Sequence, residues 1–306
     1  MLLLIALACT KPNDTADTEP PTSTVDPATV TLNGPCPMAS DHGGLQVGSS
    51  GVEGSVADGV VPISILEEVM SIGECKLLRR NNPYCDPGCE PGTTCDWDGE
   101  CVPYPANQDL GTLTIRGLAN PVAMEPVFPG NTYFDTSLPD PPYTPGELVT
   151  LEMPGGVYGP ATLYGVGVEP LVALDEEWLV EGGRDLVVHW EPPTGDVVRS
   201  EVAMSLTIDL HGVTPGSLAC VFEDDGEGHV SGEILAELVS AGVTGFPFGD
   251  LDRRTVDSAT AGEGCMDFTI SNLAEVEVDV VGFTPCVADE DCPEGLTCNI
   301  EFQICE

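Results

Sequence analysis

Thirteen cysteines in 306 residues constrain this chain more than any other feature. One of them, Cys9, stands at the end of an apolar run from Met1 to Ala8, and setting it apart leaves an even twelve, enough for six bridges. Cytosolic thiols are kept reduced, so cross-linking on this scale implies an oxidising compartment. The length suits one large or two modest domains. With 35 glycines and 28 prolines the chain exceeds average usage of both, which favours turns and short strands over long helices.

The apolar run is far too short to span a bilayer, which takes about 20 residues. It has the length of a signal-peptide core that ends in a small residue. Ala6-Leu7-Ala8-Cys9 resembles the lipobox of bacterial lipoproteins. The resemblance implies removal of residues 1–8, a diacylglycerol on Cys9 and a membrane contact made through that lipid. With Thr10 rather than aspartate following, it also implies the outer membrane. Two or more acyl chains anchor stably where one does not. Residues 9–35 carry Lys11, Pro12, Asp14, Asp17, Glu19, Pro20, Pro21 and Asp26 among threonines and alanines, with no apolar period. Such a segment cannot build a core and reads as an extended acidic tether.

Eight of the cysteines fall into an internal repeat. Cys85, Cys89, Cys95 and Cys101 in one copy lie over Cys286, Cys292, Cys298 and Cys305 in the other, sharing C-x-x-G-x-T-C. Segments of about 20 residues hold too little core to fold without cross-links. Three connectivities are open for each set; first-to-third with second-to-fourth is favoured. The remaining four pair by elimination as Cys36–Cys75 and Cys220–Cys265. Zinc is the competing reading of such runs, but the spacings are not paired C-x-x-C knuckles and neither copy contains histidine. The second copy, Cys286-Val-Ala-Asp-Glu-Asp-Cys292-Pro-Glu-Gly-Leu-Thr-Cys298, resembles the short cysteine-rich repeats of the Dickkopf N-terminal type, which implies a disulfide module and no catalysis.

Between the modules, apolar residues alternate with polar ones, most clearly from Val202 to Leu210. Period two marks a strand with one face on a core. The pattern recurs over 112–116, 149–153, 266–270 and 275–280, with a more continuous run at 186–190 and a β-like stretch from Leu45 to Leu66. Pro154-Gly155-Gly156, Pro192 to Asp196 and Thr214-Pro215-Gly216 supply turns. One helix is expected: Ser231 caps it, Ile234, Leu235, Leu238 and Val239 form one stripe, and Gly242 ends it. The fold class is therefore all-β, a jelly-roll-like or irregular β-sandwich with one short helix and two small disulfide-stapled modules. An immunoglobulin assignment fails because Trp190 precedes both Cys220 and Cys265 instead of lying between them. The expected organisation is a signal peptide at 1–8, a tether at 9–35, a β segment at 36–74 packed on the main domain, a module at 75–105, the sandwich at 106–283 and a second module at 284–306.

Lys plus Arg is 9 against 51 acidic residues, a net charge of −42. That balance argues against nucleic acid and anionic lipid headgroups as partners. The acidic turn of Glu223, Asp224, Asp225 and Glu227 is the best calcium candidate, since close-set carboxylates provide the oxygens calcium takes. An EF-hand frame fails there because Ile234 falls where the bidentate Glu belongs. The four histidines, His42, His189, His211 and His229, are dispersed, and His189 beside Trp190 reads as structural. Lys76, Arg79 and Arg80 read as anchors for nearby carboxylates, and Tyr158, Tyr164 and Trp178 as core aromatics or a sugar platform. No nucleophile elbow, HExxH or phosphate loop is present. The expectation is a non-enzymatic, lipid-anchored envelope protein with a structural, adhesive or binding role toward protein or carbohydrate at the cell surface, with no cofactor unless calcium. The alternatives are a secreted carboxylate-dependent hydrolase and a calcium-dependent binding module.

Overall fold

The computed structural model describes residues 26–49, 51–195, 199–208 and 216–306. Its spine is one long antiparallel hairpin, β17 (Phe248–Ala261) and β18 (Gly264–Val280), in unbroken register from Ala261↔Gly264 to Phe248↔Glu277. Gly262 (φ +63°) supplies the left-handed residue that a two-residue hairpin turn needs. The two runs expected at 266–270 and 275–280 are the halves of this single strand. Because side chains alternate, the even residues of β18 and the odd residues of β17 share one face along its whole length.

That face serves two separate cores. Val276, Val280 and Leu251 enter the first; Met266, Phe268 and Ile270, with Ala261, enter the second. Between them the same face carries Arg253, Thr255 and Asp257, all buried, so a polar belt divides the apolar interior.

The hairpin lies in a ten-stranded sheet. On the β17 side follow β14 (Glu201–Thr207), β15 (Gly216–Glu223), β4 (Cys75–Arg80) and β3 (Leu66–Ile72). On the β18 side follow β1 (Asp41–Gly48), β2 (Gly51–Val56) and β9 (Tyr133–Asp135). β12 (Glu177–Val180) pairs in parallel with the far half of β18. The Leu45–Leu66 stretch thus joins the main sheet as expected. Cys75–Arg80, which the sequence assigns to the first module, is a strand of that sheet as well.

Three elements add to the first core. Helix α1 (Gly232–Ser240) is capped by Ser231, whose hydroxyl accepts from Glu233 N at 3.2 Å, and it buries Ile234, Leu235 and Leu238. A ribbon of β13 (Leu186–His189) and β16 (Glu227–Val230) buries Leu186, Val188 and Val230, and β12 adds Trp178 and Val180. The second core is closed by a four-stranded sheet, in the order β11 (Ala161–Val166), β10 (Leu148–Met153), β7 (Leu113–Arg116), β8 (Val122–Met124). Side chains of β17 bond the backbone of β11. Thr255 Oγ1 accepts from Val166 N (3.0 Å) and donates to Val166 O (2.9 Å), while Asp257 Oδ2 accepts from Tyr164 N (2.9 Å). An unpaired strand edge is costly if buried, and here side chains stand in for the missing neighbour.

The modules are two-stranded clips, β5 (Thr93–Cys95) with β6 (Cys101–Pro103), and β19 (Cys298–Asn299) with β20 (Ile304–Cys305). Their bridges are Cys85–Cys95 with Cys89–Cys101, and Cys286–Cys298 with Cys292–Cys305, the favoured pattern. The pairing by elimination is corrected: the bridges are Cys36–Cys265 and Cys75–Cys220. Proximity along the chain misleads here because sheet order brings β4 against β15, with Cys75 directly opposite Cys220. Cys36 ends a strap that also docks on β17. Its Asn33 donates from N and Nδ2 to Asp257 Oδ1, and Gly34 N donates to Val256 O. From Val30 onward, then, the expected tether is already packed on the domain. Six bridges on one frame belong to an oxidising, extracytoplasmic compartment.

Candidate functional site

The odd face of β18 points away from the core; Asp267 and Thr269 stand half-buried on it, and Ser271 is covered. Register carries this face across the neighbouring strands. Thr269 lies beside Gln46 of β1, Gln46 beside Glu53 of β2, and Glu53 beside Phe134 of β9. The adjoining row is Asp267, Gly44 and Ser55. At roughly 4.8 Å per strand the longer row spans about 14 Å. A groove of about 630 Å³ runs over it, lined by these side chains and open along the sheet.

Glycine sets the depth of this groove. A Cβ on Gly44 would lie 2.1 Å from Asp267 O, and one on Gly54 would lie 2.0 Å from Gly44 O. The three strands approach too closely for side chains there, so the floor is backbone and the walls are polar. Phe134 stands at the rim, 56% exposed.

Asp267 is the electrostatic centre. Burial pushes its carboxyl up to about 6, the Cys36 amide that donates to it (2.9 Å) pulls the other way, and nearby Asp41 raises it further. The Cys36–Cys265 bridge holds this amide in place. Gln46 Nε2 donates to Ser271 Oγ at 2.7 Å, which orients the amide within its row. The result is a rigid array of carboxylate, amide and hydroxyl groups with one aromatic face. It can exchange hydrogen bonds with a polyhydroxylated ligand and stack on its apolar side. Asp267 and Glu53 are two strands and one row apart, about 12 Å between Cα positions on an ideal sheet.

The calcium turn is different from the sequence expectation. Asp224 points inward and is fully buried against Arg253. Its Oδ2 accepts from Arg253 Nε (2.7 Å) and Ser200 Oγ (2.5 Å), and its Oδ1 from Trp190 Nε1 (2.9 Å) and Arg253 Nη2 (3.0 Å). Both oxygens are occupied and the charge is neutralised, so Asp224 is corrected from cation ligand to partner of the buried arginine. Glu223, Asp225 and Glu227 remain exposed at the surface, and Glu227 turns toward His229. The four are not brought together as a ligand set.

Lys76 pairs with Glu68 (2.8 Å) and Arg79 with Glu237 (3.8 Å), the internal role expected of the basic cluster. Trp178 is buried and no platform, whereas Phe134 offers an aromatic face. Composition and motifs do not single out Phe134. The adjacent pair Tyr133-Phe134 carries the signal, since on a strand one of two neighbours must face outward. Cys9 lies outside the described residues, as does His211.

No protein-family model and no curated protein matches this chain. Among solved structures, the FN1–FN3 domains of chicken CNTN1 are similar over 70% of this chain and 66% of that one, at 8% identity and a TM-score of 0.18. A Ca2+-stabilized adhesin with which an Antarctic bacterium binds ice covers 79% and 74%, at 13% identity and 0.17. A 1.5-MDa bacterial ice-binding adhesin covers 70% and 60%, at 10% identity and 0.17. Overlap this slight carries no property across.

Proposed function

We propose that this chain is an extracytoplasmic binding protein, held at the cell envelope through lipidated Cys9, which takes a surface carbohydrate into the groove over β18, β1, β2 and β9. The observation that carries the reading is the groove itself: a backbone floor at Gly44 and Gly54, polar walls at Gln46, Glu53, Asp267 and Thr269, and Phe134 at the rim. Apolar stacking combined with a few fixed polar groups is the chemistry that orients a small ligand. A net charge of −42 disfavours phosphorylated or sulfated partners and admits neutral or amino sugars. The six bridges support an oxidising location, and the lipobox-like Ala6-Leu7-Ala8-Cys9 supports the anchor.

Titration of the purified chain against neutral and amino-sugar polysaccharides, followed calorimetrically, tests the groove. Saturable binding is expected, weakened about two- to twelvefold by Phe134→Ala through lost stacking of about 0.5–1.5 kcal/mol, and weakened also by Glu53→Gln. Binding that neither substitution alters would sink the assignment, as would the absence of binding at millimolar sugar.

A further inference from the structure

Two of the histidines that look scattered in the sequence meet on the outer face of the β13–β16 ribbon. Leu186, Val188, Gly228 and Val230 face the core, so His189, Glu227 and His229 share the opposite side. His189 lies directly across from Glu227, and Val187 across from His229. This makes the two histidines diagonal neighbours, a separation of about 7–8 Å that long side chains close.

Both rings face the Glu227 carboxylate. His189 Nε2 lies 3.7 Å from Glu227 Oε2, and His229 Nε2 lies 2.7 Å from Glu227 Oε1, so each oxygen of one carboxylate faces one imidazole. The far nitrogen of His189 is held as well. Its Nδ1 is 3.2 Å from both oxygens of Asp175. Asp175 is fixed in turn by the His189 amide (2.7 Å), and its loop is tied on by Leu174 N to His189 O (2.9 Å) and by the Ala173↔Trp190 bridge. Metal-bound histidines commonly have this arrangement, one ring nitrogen held by a carboxylate while the other faces the ion.

We propose that His189, Glu227 and His229 bind a divalent late first-row transition ion, zinc above all, with Asp175 as the residue that orients His189. Two imidazoles and one carboxylate are the donor set of open zinc sites, with a fourth position left to water or a ligand. Around a tetrahedral ion with bonds of about 2.0–2.1 Å, donors stand about 3.3 Å apart. The two imidazole-to-carboxylate separations, 3.7 and 2.7 Å, lie on either side of that value. The three donor atoms do not all stand within 4.8 Å of one another, so binding requires the exposed His229 ring to swing toward His189, which Asp175 holds in place. Nitrogen donors also separate this site from calcium, which takes six to eight oxygens. In a chain of net charge −42, diffuse cation binding is expected everywhere on the surface, and the imidazoles are what make one position selective.

The test is equilibrium dialysis of the full chain against ZnCl₂ at pH 7.5, in 150 mM salt with millimolar CaCl₂ to occupy loose carboxylates. About one zinc per chain is expected to survive the calcium. His189→Ala and His229→Ala should each lower its affinity at least tenfold, and Asp175→Asn about tenfold or more, while circular dichroism shows each variant folded. Substoichiometric Ni²⁺ should broaden the ring resonances of His189 and His229 and spare those of buried His42. Zinc uptake abolished by calcium, unchanged in the double histidine variant, or accompanied by equal broadening of His42 would overturn the proposal.

Discussion

Replacing Asp224 by alanine is the sharpest test of how the two halves of this molecule are joined. Arg253 is 1% exposed and the Asp224 carboxylate not at all, and two charge-assisted bonds of 2.7 and 3.0 Å link them. Arg253 also donates to the carbonyls of Pro170 (2.9 Å) and Glu191 (2.5 Å), which ties the loops around the polar belt to the main sheet. Alanine at 224 leaves a guanidinium buried without its counter-charge, a cost of about 3–5 kcal/mol. It also strands the Trp190 N–H, which adds about 1–3 kcal/mol unless water enters. Against a typical total of about 5–15 kcal/mol, the loss is a large fraction of the stability. With the bridges intact, urea unfolding should move its midpoint down by about 1 M or more, taking m near 3 kcal/mol/M. Removing both charges with Asp224→Leu and Arg253→Met should recover much of the loss, giving a coupling energy of at least about 2 kcal/mol in the double-mutant cycle. The loss should be the same in chelator as in calcium. A cost below about 1 kcal/mol, or one seen only when calcium is present, would refute the reasoning and restore Asp224 as a cation ligand.

Asp267 makes stability depend on pH. Its folded value of about 6 lies above its ordinary 3.8, so between those values the folded chain holds more protons and stability falls as pH rises. Asp267→Asn keeps an acceptor for the Cys36 amide; it should raise Tm at pH 7.5 and leave it unchanged near pH 4, and an equal effect at both would contradict the sign. Intact mass of membrane-extracted protein should show acyl groups on an amino-terminal Cys9 and a gain of about 12 Da on reduction of six bridges. Peptide mapping should link Cys36 to Cys265 and Cys75 to Cys220, and free thiols before reduction or an unprocessed terminus would refute it.

Much of the frame was legible because alternation is a local property. Val202 to Thr207, Val149 to Met153 and Leu113 to Arg116 carry a clean period of two and are strands. The Ser231 cap and the stripe behind it specify the helix. The shared C-x-x-G-x-T-C spacing marks two clips whose bridges span 10 to 13 positions. β17 escaped notice because Arg253, Thr255 and Asp257 occupy its inward positions and erase the apolar period in the middle of the strand. β18 looked like two strands for the same reason, since Asn272 interrupts its inward face where the belt crosses.

The cysteine count by itself pointed to a cross-linked, extracytoplasmic chain, and the alternation to an all-β body with one helix, because both depend only on residues near one another in the chain. Which cysteine meets which, where Asp224 points, and how Phe134 joins Asp267 or His189 joins His229 were decided by sheet order. Strand neighbours such as β4 and β15, or β1 and β18, come together from distant segments through burial and backbone pairing, and a residue's chemistry follows from what stands beside it there.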